Sequence, residues 1–418
     1  MRSIVGDKPV PADPAVLAAP AYVAIARKWR PQTLEDMCGQ AHVTRTLKNA
    51  LESGRLHHAF LFTGARGVGK TTAARAFARA LQCANGPTPT PCGVCGPCID
   101  ILAGTSPDVV EIDGASNNSV DDIRNLRDGV RYLPATTRFR VYVIDEVHML
   151  SKGAFNALLK TLEEPPPHVK FIFATTEVNK IPDTILSRVQ RFDFKRIPAS
   201  VVSARLRKIC DVEGITISDA ALQMVAKAGE GSMRDAQSLL DQVISFGGAA
   251  ADDKQVADIL GLVDRRYLYE MLGGVLQGQP ERCLDSIQAV HDNGYELAQF
   301  TVELLELVRN ATVATLSEGA RRFLDVSEEE KSALLAITNG VPAEQLSRTF
   351  QVLLEVHDQV SRSMRPRLVL EMAVARLVAI RPAQPVSALV DRLVDLERRM
   401  RGQGAAAPRG QNPEGERR

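Results

Sequence analysis

The first half of the chain alternates short apolar runs with longer stretches of helical periodicity. Four runs rich in β-branched and aromatic residues interrupt that periodicity, at Ala59–Thr63, Val109–Ile112, Arg140–Ile144 and Lys170–Thr175. Continuous apolar runs of this length are typical of parallel strands that are buried on both faces and joined by helical crossovers. The pattern predicts an α/β domain over residues 21–197, with a parallel sheet and helices on both of its faces.

The strand signal ends after Phe192–Phe194 and Pro198. Breaks that contain glycine then separate three short amphipathic stretches, Val201–Val212, Ser218–Ala228 and Ser232–Ile244. We expect these stretches to form a small helical domain over residues 198–250.

The next part of the chain has a helical pattern with little strand signal. The glycine- and alanine-rich segment Phe246–Asp253 is interpreted as a linker, and long amphipathic stretches follow from Lys254 to about Ile380. This pattern predicts a third, all-helical domain over residues 251–382.

Both ends of the chain differ in composition from these domains. Residues 383–418 begin with an amphipathic stretch whose apolar positions are Val386, Leu389, Val390, Leu393, Val394 and Leu396. The Gly, Pro, Ala, Gln and Arg content of Arg401–Arg418 cannot bury a core, and residues 1–20 are rich in Pro and Ala. We expect a disordered extension at the N-terminal end and a disordered tail at the C-terminal end.

Composition and charge narrow the class of protein. The chain has 418 residues, of which 45% are hydrophobic, and 51 basic residues stand against 50 acidic ones, a net charge of +1. A domain with one hydrophobic core usually has about 100–200 residues, so a chain of this length is expected to contain several domains. The charge balance excludes a polycation that would adhere to any phosphate backbone, and contact with DNA would need a local patch or assembled subunits.

The sequence shows neither a secretory signal nor a membrane span. Residues 1–20 lack a basic region followed by a long apolar core, and no apolar run approaches the ~18 residues of a membrane helix. We expect a cytoplasmic protein with no membrane contact. Because thiols stay reduced there, the seven cysteines are interpreted as metal ligands or buried thiols rather than disulfides.

A phosphate-binding motif follows the first apolar run. The segment from Gly64 to Thr71 fits G-x-x-x-x-G-K-[ST] and lies between the strand Ala59–Thr63 and the helix predicted for Thr72–Gln82. In this motif backbone N–H groups cradle the phosphates, Lys70 reaches the β- and γ-phosphates of ATP, and the Thr71 hydroxyl ligates Mg²⁺. The residues expected to contact the nucleotide are Gly64, Ala65, Arg66, Gly67, Val68, Gly69, Lys70, Thr71 and Thr72.

Two adjacent carboxylates end the apolar run Arg140–Ile144. Asp145 and Glu146 are expected to lie beside the phosphate loop, where Asp145 would hold Mg²⁺ and Glu146 would orient and deprotonate the attacking water. Without the loop, such a pair at a strand end would more often be solvated turn residues.

Four cysteines form the second candidate site. Cys92, Cys95 and Cys98 have C-x₂-C-x₂-C spacing, and Cys83 ends the helix that follows the phosphate loop. Four thiolates that glycine turns can bring together favour a closed, structural Zn²⁺ site. Redox-active or metal-free thiols are the alternatives. Cys38, Cys210 and Cys283 are isolated and are interpreted as ordinary buried residues.

The chain resembles the gamma/tau subunits of bacterial DNA polymerase III, which are AAA+ ATPases of the sliding-clamp loader. Besides the phosphate loop, the resemblance rests on several ordered strings: Arg27-Lys-Trp-Arg-Pro31, Gly39-Gln40, Asp145-Glu-Val-His148, Asn156-Ala-Leu-Leu-Lys-Thr-Leu-Glu-Glu-Pro165, Ala174-Thr-Thr176, Leu186-Ser-Arg188 and Gly231-Ser-Met-Arg-Asp235. It covers about Tyr22 to Ile380.

The resemblance implies roles that spacing alone does not. Thr176 would be the polar sensor of the γ-phosphate, with Thr175 as the fallback, and Arg188 an arginine finger acting on ATP in the neighbouring subunit. Arg234 would be a second sensor on the helical lid, acting in cis. Tyr22 and Arg30 would lie near the adenine. Val189 follows Arg188 at a position where the family usually has cysteine. Because residue 189 is not the charged group, this departure puts the packing around Arg188 in doubt more than its function.

The resemblance also implies fold, cofactors and partners. It implies an AAA+ domain with a zinc module inserted at residues 83–98, a helical lid, and an all-helical collar. ATP, Mg²⁺ and Zn²⁺ would be bound, and ATP hydrolysis would load the sliding clamp (beta) onto primed DNA within a hetero-pentameric loader holding several copies of this chain with delta and delta-prime subunits. The enzyme would be an ATPase subunit of the DNA-directed DNA polymerase holoenzyme, itself a nucleotidyltransferase, and not its polymerase catalytic subunit.

Two other classes of protein fit part of the sequence. A branch-migration motor would share the phosphate loop but would need neither the cysteine insert nor a long helical collar. A non-enzymatic stator of a loader ring would be expected to lack Lys70 or Glu146, and both are present. The end at Arg418 suggests a gamma-like or truncated chain, and a longer tau-type form stays open.

Overall fold

The chain divides into two compact units, between Leu260 and Gly261. The computed structural model describes residues 22–248, 250–324, 326, 328–380 and 386–403. The extension predicted for residues 1–20 and most of the predicted tail, from 404 onward, lie outside the described residues. Each unit has its own buried core.

A five-stranded parallel sheet forms the centre of the first unit, in the order β2-β3-β4-β1-β5. The strands are β1 Ala59–Thr63, β2 Val109–Asp113, β3 Arg140–Asp145, β4 Val169–Thr175 and β5 Gln190–Asp193. Because every strand runs the same way, all carboxyl ends meet at one edge. At that edge Thr63 is in register with Thr175, and Asp113 with Asp145.

Alternate residues of the buried strands supply two separate cores. Phe60 and Phe62 pack in one cluster with residues of helices α2 and α3, whereas Ala59 and Leu61 pack in another with residues of helices α5 and α6. The bounds are α2 Ala41–Ser53, α3 Lys70–Gln82, α5 Val120–Gly129 and α6 Lys152–Glu163. The predicted α/β fold, with helices on both faces of a parallel sheet, is confirmed.

Short helices complete this part of the first unit. The insert between α3 and β2 contains α4, which begins with Gly96-Pro97, where the missing proline N–H costs nothing because first-turn N–H groups have no partner within the helix. The short helices are α1 Ile25–Lys28, α4 Gly96–Ala103 and α7 Asp183–Leu186.

The remainder of the first unit is a small helical layer. Its core joins apolar residues of four helices with Ile25 and Trp29 from the start of the described chain. Serine caps begin two of the helices: the Ser218 and Ser232 side chains accept from the N–H groups of Ala221 and Asp235. The helices are α8 Ala199–Glu213, α9 Asp219–Ala228, α10 Met233–Gly247 and α11 Asp253–Ile259.

The segment interpreted as a linker, Phe246–Asp253, is structured. A short strand β7, Ala250–Ala251, pairs in parallel with β6, Thr216–Ile217. Helix α11 then begins with a capping box formed by Asp252 and Gln255. Val256 is buried in the core of the first unit, so the polypeptide leaves that unit after α11. The Gly and Ala content of this segment suggested a linker. A strand of two residues is too short to show the alternating pattern that would have predicted it.

The second unit is all-helical among its described residues, as the sequence predicts. One apolar cluster, from Val263 to Leu377, joins all of its helices except the last one. The helices are α12 Arg265–Gln277, α13 Pro280–Asp292, α14 Leu297–Leu316, α15 Glu328–Ile337, α16 Ala343–Arg362, α17 Pro366–Val378 and α18 Val386–Gln403. No helix in the described part of the chain is long and apolar enough to cross a membrane.

Candidate functional site

The phosphate-loop motif connects β1 to α3 at the carboxyl edge of the sheet. Gly67 and Gly69 have φ angles of +73° and +104°, a conformation that residues with a Cβ rarely adopt. Lys70 begins α3 with its side chain buried, and its Nζ donates to the carbonyl oxygens of Gly64 and Ala65 at 2.9 and 2.8 Å. Burial lowers the pKa of Lys70, while Glu146 and Asp145 act in the opposite direction. The ammonium group is thus held within the loop, on the side of the two carboxylates.

The first carboxylate directly contacts the motif. Thr71 Oγ1 donates to Asp145 Oδ2 at 2.6 Å, and Asp145 Oδ1 accepts from the N–H of Glu146 at 2.9 Å. A hydroxyl and a carboxylate oxygen placed together match the oxygen ligands that Mg²⁺ prefers. The donor set predicted for Mg²⁺, Thr71 and Asp145, is therefore brought together by the fold.

The second carboxylate is held in an unusual backbone conformation. Glu146 has φ 45° and ψ 46°, the left-handed region, which costs about 1 kcal/mol or more for a residue with a Cβ. Its Oε2 accepts from the N–H and the Oγ1 of Thr176 at 3.3 and 3.1 Å, and His148 Nδ1 lies 3.3 Å away. The predicted sensor and the predicted water-orienting residue are thus in direct contact.

The fallback residue for that sensor faces elsewhere. Thr175 is fully buried, its Oγ1 lies 3.0 Å from His148 Nδ1, and it accepts from the N–H of Glu177 at 3.0 Å. The Thr175 hydroxyl is thus engaged by His148 and by the Glu177 N–H. Of the two threonines, Thr176 has the hydroxyl beside Glu146.

The helical layer rests directly on the phosphate loop. The N–H of Arg234 points to the carbonyl of Gly67 at 3.4 Å, and a Cβ added to Gly67 would meet Ser232 Oγ at 1.8 Å. Ser232 is at the same time the cap of α10. The first turn of α10 is therefore fixed against the loop, and this contact places Arg234 at the cavity described next.

A cavity of about 620 Å³ extends from the phosphate loop to the helical layer. Its walls include Arg66 to Thr72 with Asp145 and Glu146 on one side, and Met233, Arg234, Gln237 and Ser238 on the other. The third wall is the stretch from Ala24 to Pro31, including Arg30. Burial lowers the pKa of Arg30, and so do the charges of Arg75, Arg234 and Arg27, against the opposing charge of Glu111. The cavity is rich in cationic groups, which suits an anionic ligand.

Two lining arginines were not predicted from the sequence. The Arg205 guanidinium lies 5.6 Å from the centre of the Trp29 ring, and Trp29 Nε1 donates to Glu213. Arg75 lines the cavity and pairs with Glu111 at 2.7 Å. Both belong to ordinary helical patterns, so spacing gave no signal for either.

Tyr22 does not line this cavity. Its hydroxyl donates to Asp241 Oδ1 at 2.8 Å, and the ring is mostly exposed. The same carboxylate accepts from the N–H of Ile25 through its other oxygen. Tyr22 therefore fixes the first described residues to α10, whereas Arg30, the other residue predicted to lie near the adenine, lines the cavity.

Arg188 lies outside the cavity of its own chain. Its Nη2 is 2.9 Å from Glu163 Oε1, and its Nη1 donates to the carbonyl oxygen of Thr184 and to Ser187 Oγ. About a third of the side chain is exposed. A guanidinium in this place can meet a group that approaches from outside the chain, while Val189 packs with the apolar cluster beneath the sheet.

The four clustered cysteines converge as their spacing predicts. The Sγ atoms of Cys83, Cys92, Cys95 and Cys98 all lie within 4.8 Å of one another. A tetrahedral Zn²⁺ with Zn–S bonds of about 2.3 Å needs sulfur atoms about 3.8 Å apart, so a small contraction gives the coordination shell. The residues fit a structural tetrathiolate metal site.

The cluster has unequal thiols. Backbone N–H groups of Val94 and Cys95 lower the pKa of Cys92 to about 6, whereas burial raises the pKa of Cys98 to about 12. The Cys92 N–H donates to Cys83 Sγ at 3.4 Å. Of the remaining cysteines, Cys210 and Cys283 are buried as expected, and Cys38 is half-buried and lines the cavity.

Three family models match successive parts of the chain. Residues 39–198 match the model described as DNA polymerase III, delta subunit. Residues 201–249 match DNA polymerase III clamp loader subunit, ATPase lid domain. Residues 251–393 match DNA polymerase III subunits gamma and tau domain III.

Curated relatives match over most of this chain. DNA polymerase III subunit tau of Bacillus subtilis is 41% identical over 357 residues, and that of Escherichia coli 42% identical over 366; the matches cover 85% and 88% of this chain. This chain spans only 63% and 57% of those two proteins. DNA polymerase III subunit gamma of Buchnera aphidicola is 37% identical, covering 86% of this chain and 99% of the relative.

Solved structures give a more distant likeness. The Thermotoga maritima RuvB Holliday junction branch migration motor matches with a TM-score of 0.42 and 20% identity, covering 60% of this chain and 80% of that one. The Bacillus subtilis DNA clamp loader delta protein matches with a TM-score of 0.35 and 11% identity, covering 80% and 99%.

Proposed function

Since this chain belongs to the gamma and tau subunits of bacterial DNA polymerase III, we propose that it is an ATP-hydrolysing AAA+ subunit of the sliding-clamp loader. The observation that carries the proposal is the joining of the phosphate loop, Asp145 and Glu146 at one cavity, closed by the turn that contains Arg234. ATP would bind there and be hydrolysed to drive loading of the sliding clamp onto primed DNA.

The phosphate loop would hold the triphosphate of ATP. Backbone N–H groups of the loop and of the start of α3, from Ala65 to Thr72, would face the phosphates. Lys70 would exchange its two carbonyl contacts for β- and γ-phosphate oxygens. Thr71 and Asp145 would hold Mg²⁺, which when bound neutralises charge on the phosphates. Arg30 and its neighbours would border the adenine end of the cavity.

Glu146 would orient the attacking water and accept its proton. Its carboxylate must face the γ-phosphate for this step, and the hydrogen bonds from Thr176 hold that carboxylate in a defined position. Thr176 would therefore report the γ-phosphate through Glu146 as well as by direct contact. Arg234, fixed on the lid next to Gly67, would stabilise the γ-phosphate in cis.

Arg188 would complete the site of a neighbouring copy. It stands outside its own cavity, on a partly exposed surface, and Glu163 holds its guanidinium in place. An arginine finger supplied in trans is worth about 10³–10⁵ in rate, so hydrolysis would depend on assembly.

The cysteine cluster would hold one structural Zn²⁺. Four thiolates leave no open coordination position, so the ion would stabilise the insert between α3 and β2 and take no part in hydrolysis. Redox-active or metal-free thiols fit less well, because two of the four sulfurs belong to buried residues.

The partners follow from the same family. Several copies would assemble with delta and delta-prime subunits in a five-subunit ring, with the second unit as the collar, and the ring would bind the beta clamp and primed DNA in the cytoplasm. The chain would act within the DNA-directed DNA polymerase holoenzyme and would not itself transfer nucleotides. The intact Lys70 and Glu146 disfavour a stator, and the cysteine insert disfavours a branch-migration motor.

Substitution of the phosphate-loop lysine tests the proposal. Lys70→Ala should abolish binding of a fluorescent ATP analogue and phosphate release, because Lys70 supplies the buried ammonium group of the loop. Lys208→Ala, an exposed lysine on α8, is the matched control and should behave as the unmodified chain. Normal ATP turnover by the folded Lys70→Ala variant would end the ATPase proposal.

A further inference from the structure

Helix α18 carries an apolar seam with heptad spacing. In the sequence, Val386, Leu389, Leu393, Leu396 and Met400 follow one another at intervals of three, four, three and four residues. This alternation places them at the a and d positions of a heptad, the seam along which two helices supercoil. Val390 and Val394 lie beside this seam and widen the apolar stripe of the helix.

The described part of this seam is exposed. Side chains from Val390 to Met400 are all exposed, with 65% of Leu393, 52% of Leu396 and 76% of Met400 accessible. Leucines at consecutive d and a positions are strongly disfavoured as free surface, because burying each recovers about 1.5–3 kcal/mol. The helix therefore presents a surface suited to a partner.

The flanking charges indicate which partner fits. With Leu393 at position a, Arg392 occupies g and Glu397 occupies the following e position. In a parallel, in-register pair of identical helices, position g of one faces that e position of the other, so two Arg392–Glu397 pairs form by symmetry. An antiparallel pair would instead bring the g residues Arg392 and Arg399 together, and both are basic.

We propose that α18 is a self-association helix, which pairs with α18 of a second copy of this chain as a parallel two-stranded coiled coil. Val386 at a combined with Leu389 at d is a pairing that favours two strands. The helix is only 18 residues long, so the pair is weak between separate chains. It becomes strong only where other contacts already hold two copies close together. The proposal concerns the chain's own copies and does not depend on ATP hydrolysis.

Disulfide trapping on the full chain tests this pairing. Facing d positions of a parallel coiled coil bring Cα atoms within the distance a disulfide needs, whereas outward f positions do not. Under mild oxidation, Leu396→Cys should form cross-linked dimers about tenfold faster than Arg398→Cys, the outward control on the same helix turn. Mass analysis of the linked peptides separates this bond from links through the native cysteines.

Charge reversal then tests the orientation. Adding Glu397→Arg to Leu396→Cys places like charges opposite each other and should slow cross-linking about tenfold. Adding Arg392→Glu as well restores opposite charges and should restore the rate. Equal cross-linking rates for Leu396→Cys and Arg398→Cys would overturn self-pairing. That result is expected if α18 instead docks on its own chain or on another protein. Failure of the double reversal to restore the rate would overturn the parallel register.

Discussion

Gly67 shows how a single residue joins the phosphate loop to the lid. Its φ of +73° disfavours any side chain, and a Cβ would lie 1.8 Å from the Ser232 oxygen that caps α10. We predict that Gly67→Ala displaces the first turn of α10 and with it Arg234. Loss of one charge-assisted contact to phosphate should weaken ATP binding about tenfold or more, measured by titration with a fluorescent ATP analogue.

Gly54 provides the control for this substitution. It has a similar φ of +67°, but nothing lies within 4 Å of an added Cβ. Gly54→Ala should cost about 1 kcal/mol of unfolding free energy from backbone strain and leave ATP affinity unchanged. Equal ATP affinities for the two variants would show that the lid contact at Gly67 has no part in binding.

The contact between Thr176 and Glu146 yields a second prediction at this scale. Thr176→Val keeps the shape but removes the hydroxyl that donates to Glu146 Oε2. Since Glu146 would then lose a positioning contact, kcat for ATP hydrolysis should fall about tenfold to a hundredfold with little change in ATP affinity. Thr176→Ser, which keeps the hydroxyl, should retain most activity. A fall in affinity with unchanged kcat would contradict the role given to this pair.

The residues that belong to short motifs could be predicted from the sequence. Lys70, Thr71 and Asp145 come from two short motifs, and the fold brings these residues together. The contact between Ser232 and Gly67 and the contact between the Arg205 guanidinium and the Trp29 ring each join residues far apart in the sequence. No local pattern could therefore reveal these contacts. The left-handed backbone of Glu146 was equally invisible, because glutamate does not ordinarily adopt it.

At the scale of elements, the insert after α3 depends on its four thiols. We predict that elemental analysis finds about one Zn²⁺ per chain. The Cys98→Ser variant should contain no zinc, because the Cys98 thiol that it removes is buried within the cluster. Removal of the metal by a chelator should lower the melting temperature by about 5–10 °C, because the insert has little apolar core of its own.

Cys38→Ser is the matched control for the metal site. Cys38 lies outside the cluster, and its replacement should leave the zinc content unchanged. Wild-type protein that is purified under reducing conditions, contains no metal, and keeps all four cluster thiols free would refute the zinc site.

The first four strands of the sheet were predictable because they are short and mostly apolar. Observed β1 has the predicted bounds, and β2, β3 and β4 differ by one residue each. The structured segment after α10 was not predictable, since β7 is two residues long and its partner β6 is remote in sequence. Long-range pairing decided the structure there, and local composition did not.

At the scale of the whole molecule, the chain has a unit that contains the phosphate loop and a second, helical unit, and its proposed activity depends on neighbouring subunits. Lys70, Asp145, Glu146 and Arg234 line one cavity, whereas Arg188 does not line it and pairs with Glu163. A single copy would therefore bind ATP but hydrolyse it slowly, and the assembled ring would hydrolyse it fast. The sequence alone suggested this division only through the family resemblance, because a partly exposed arginine has no distinctive spacing.

The most direct measurement is ATP turnover in the loader reconstituted with its delta and delta-prime partners, before and after addition of sliding clamp and primed DNA. Clamp and DNA should stimulate turnover. Arg188→Ala should spare ATP binding but lower the stimulated rate about 10³-fold, whereas replacing Arg191, an exposed arginine paired with Asp193, by Ala should leave that rate unchanged. Absence of stimulation, or an Arg188→Ala defect confined to the isolated chain, would contradict ATP hydrolysis in trans within the ring.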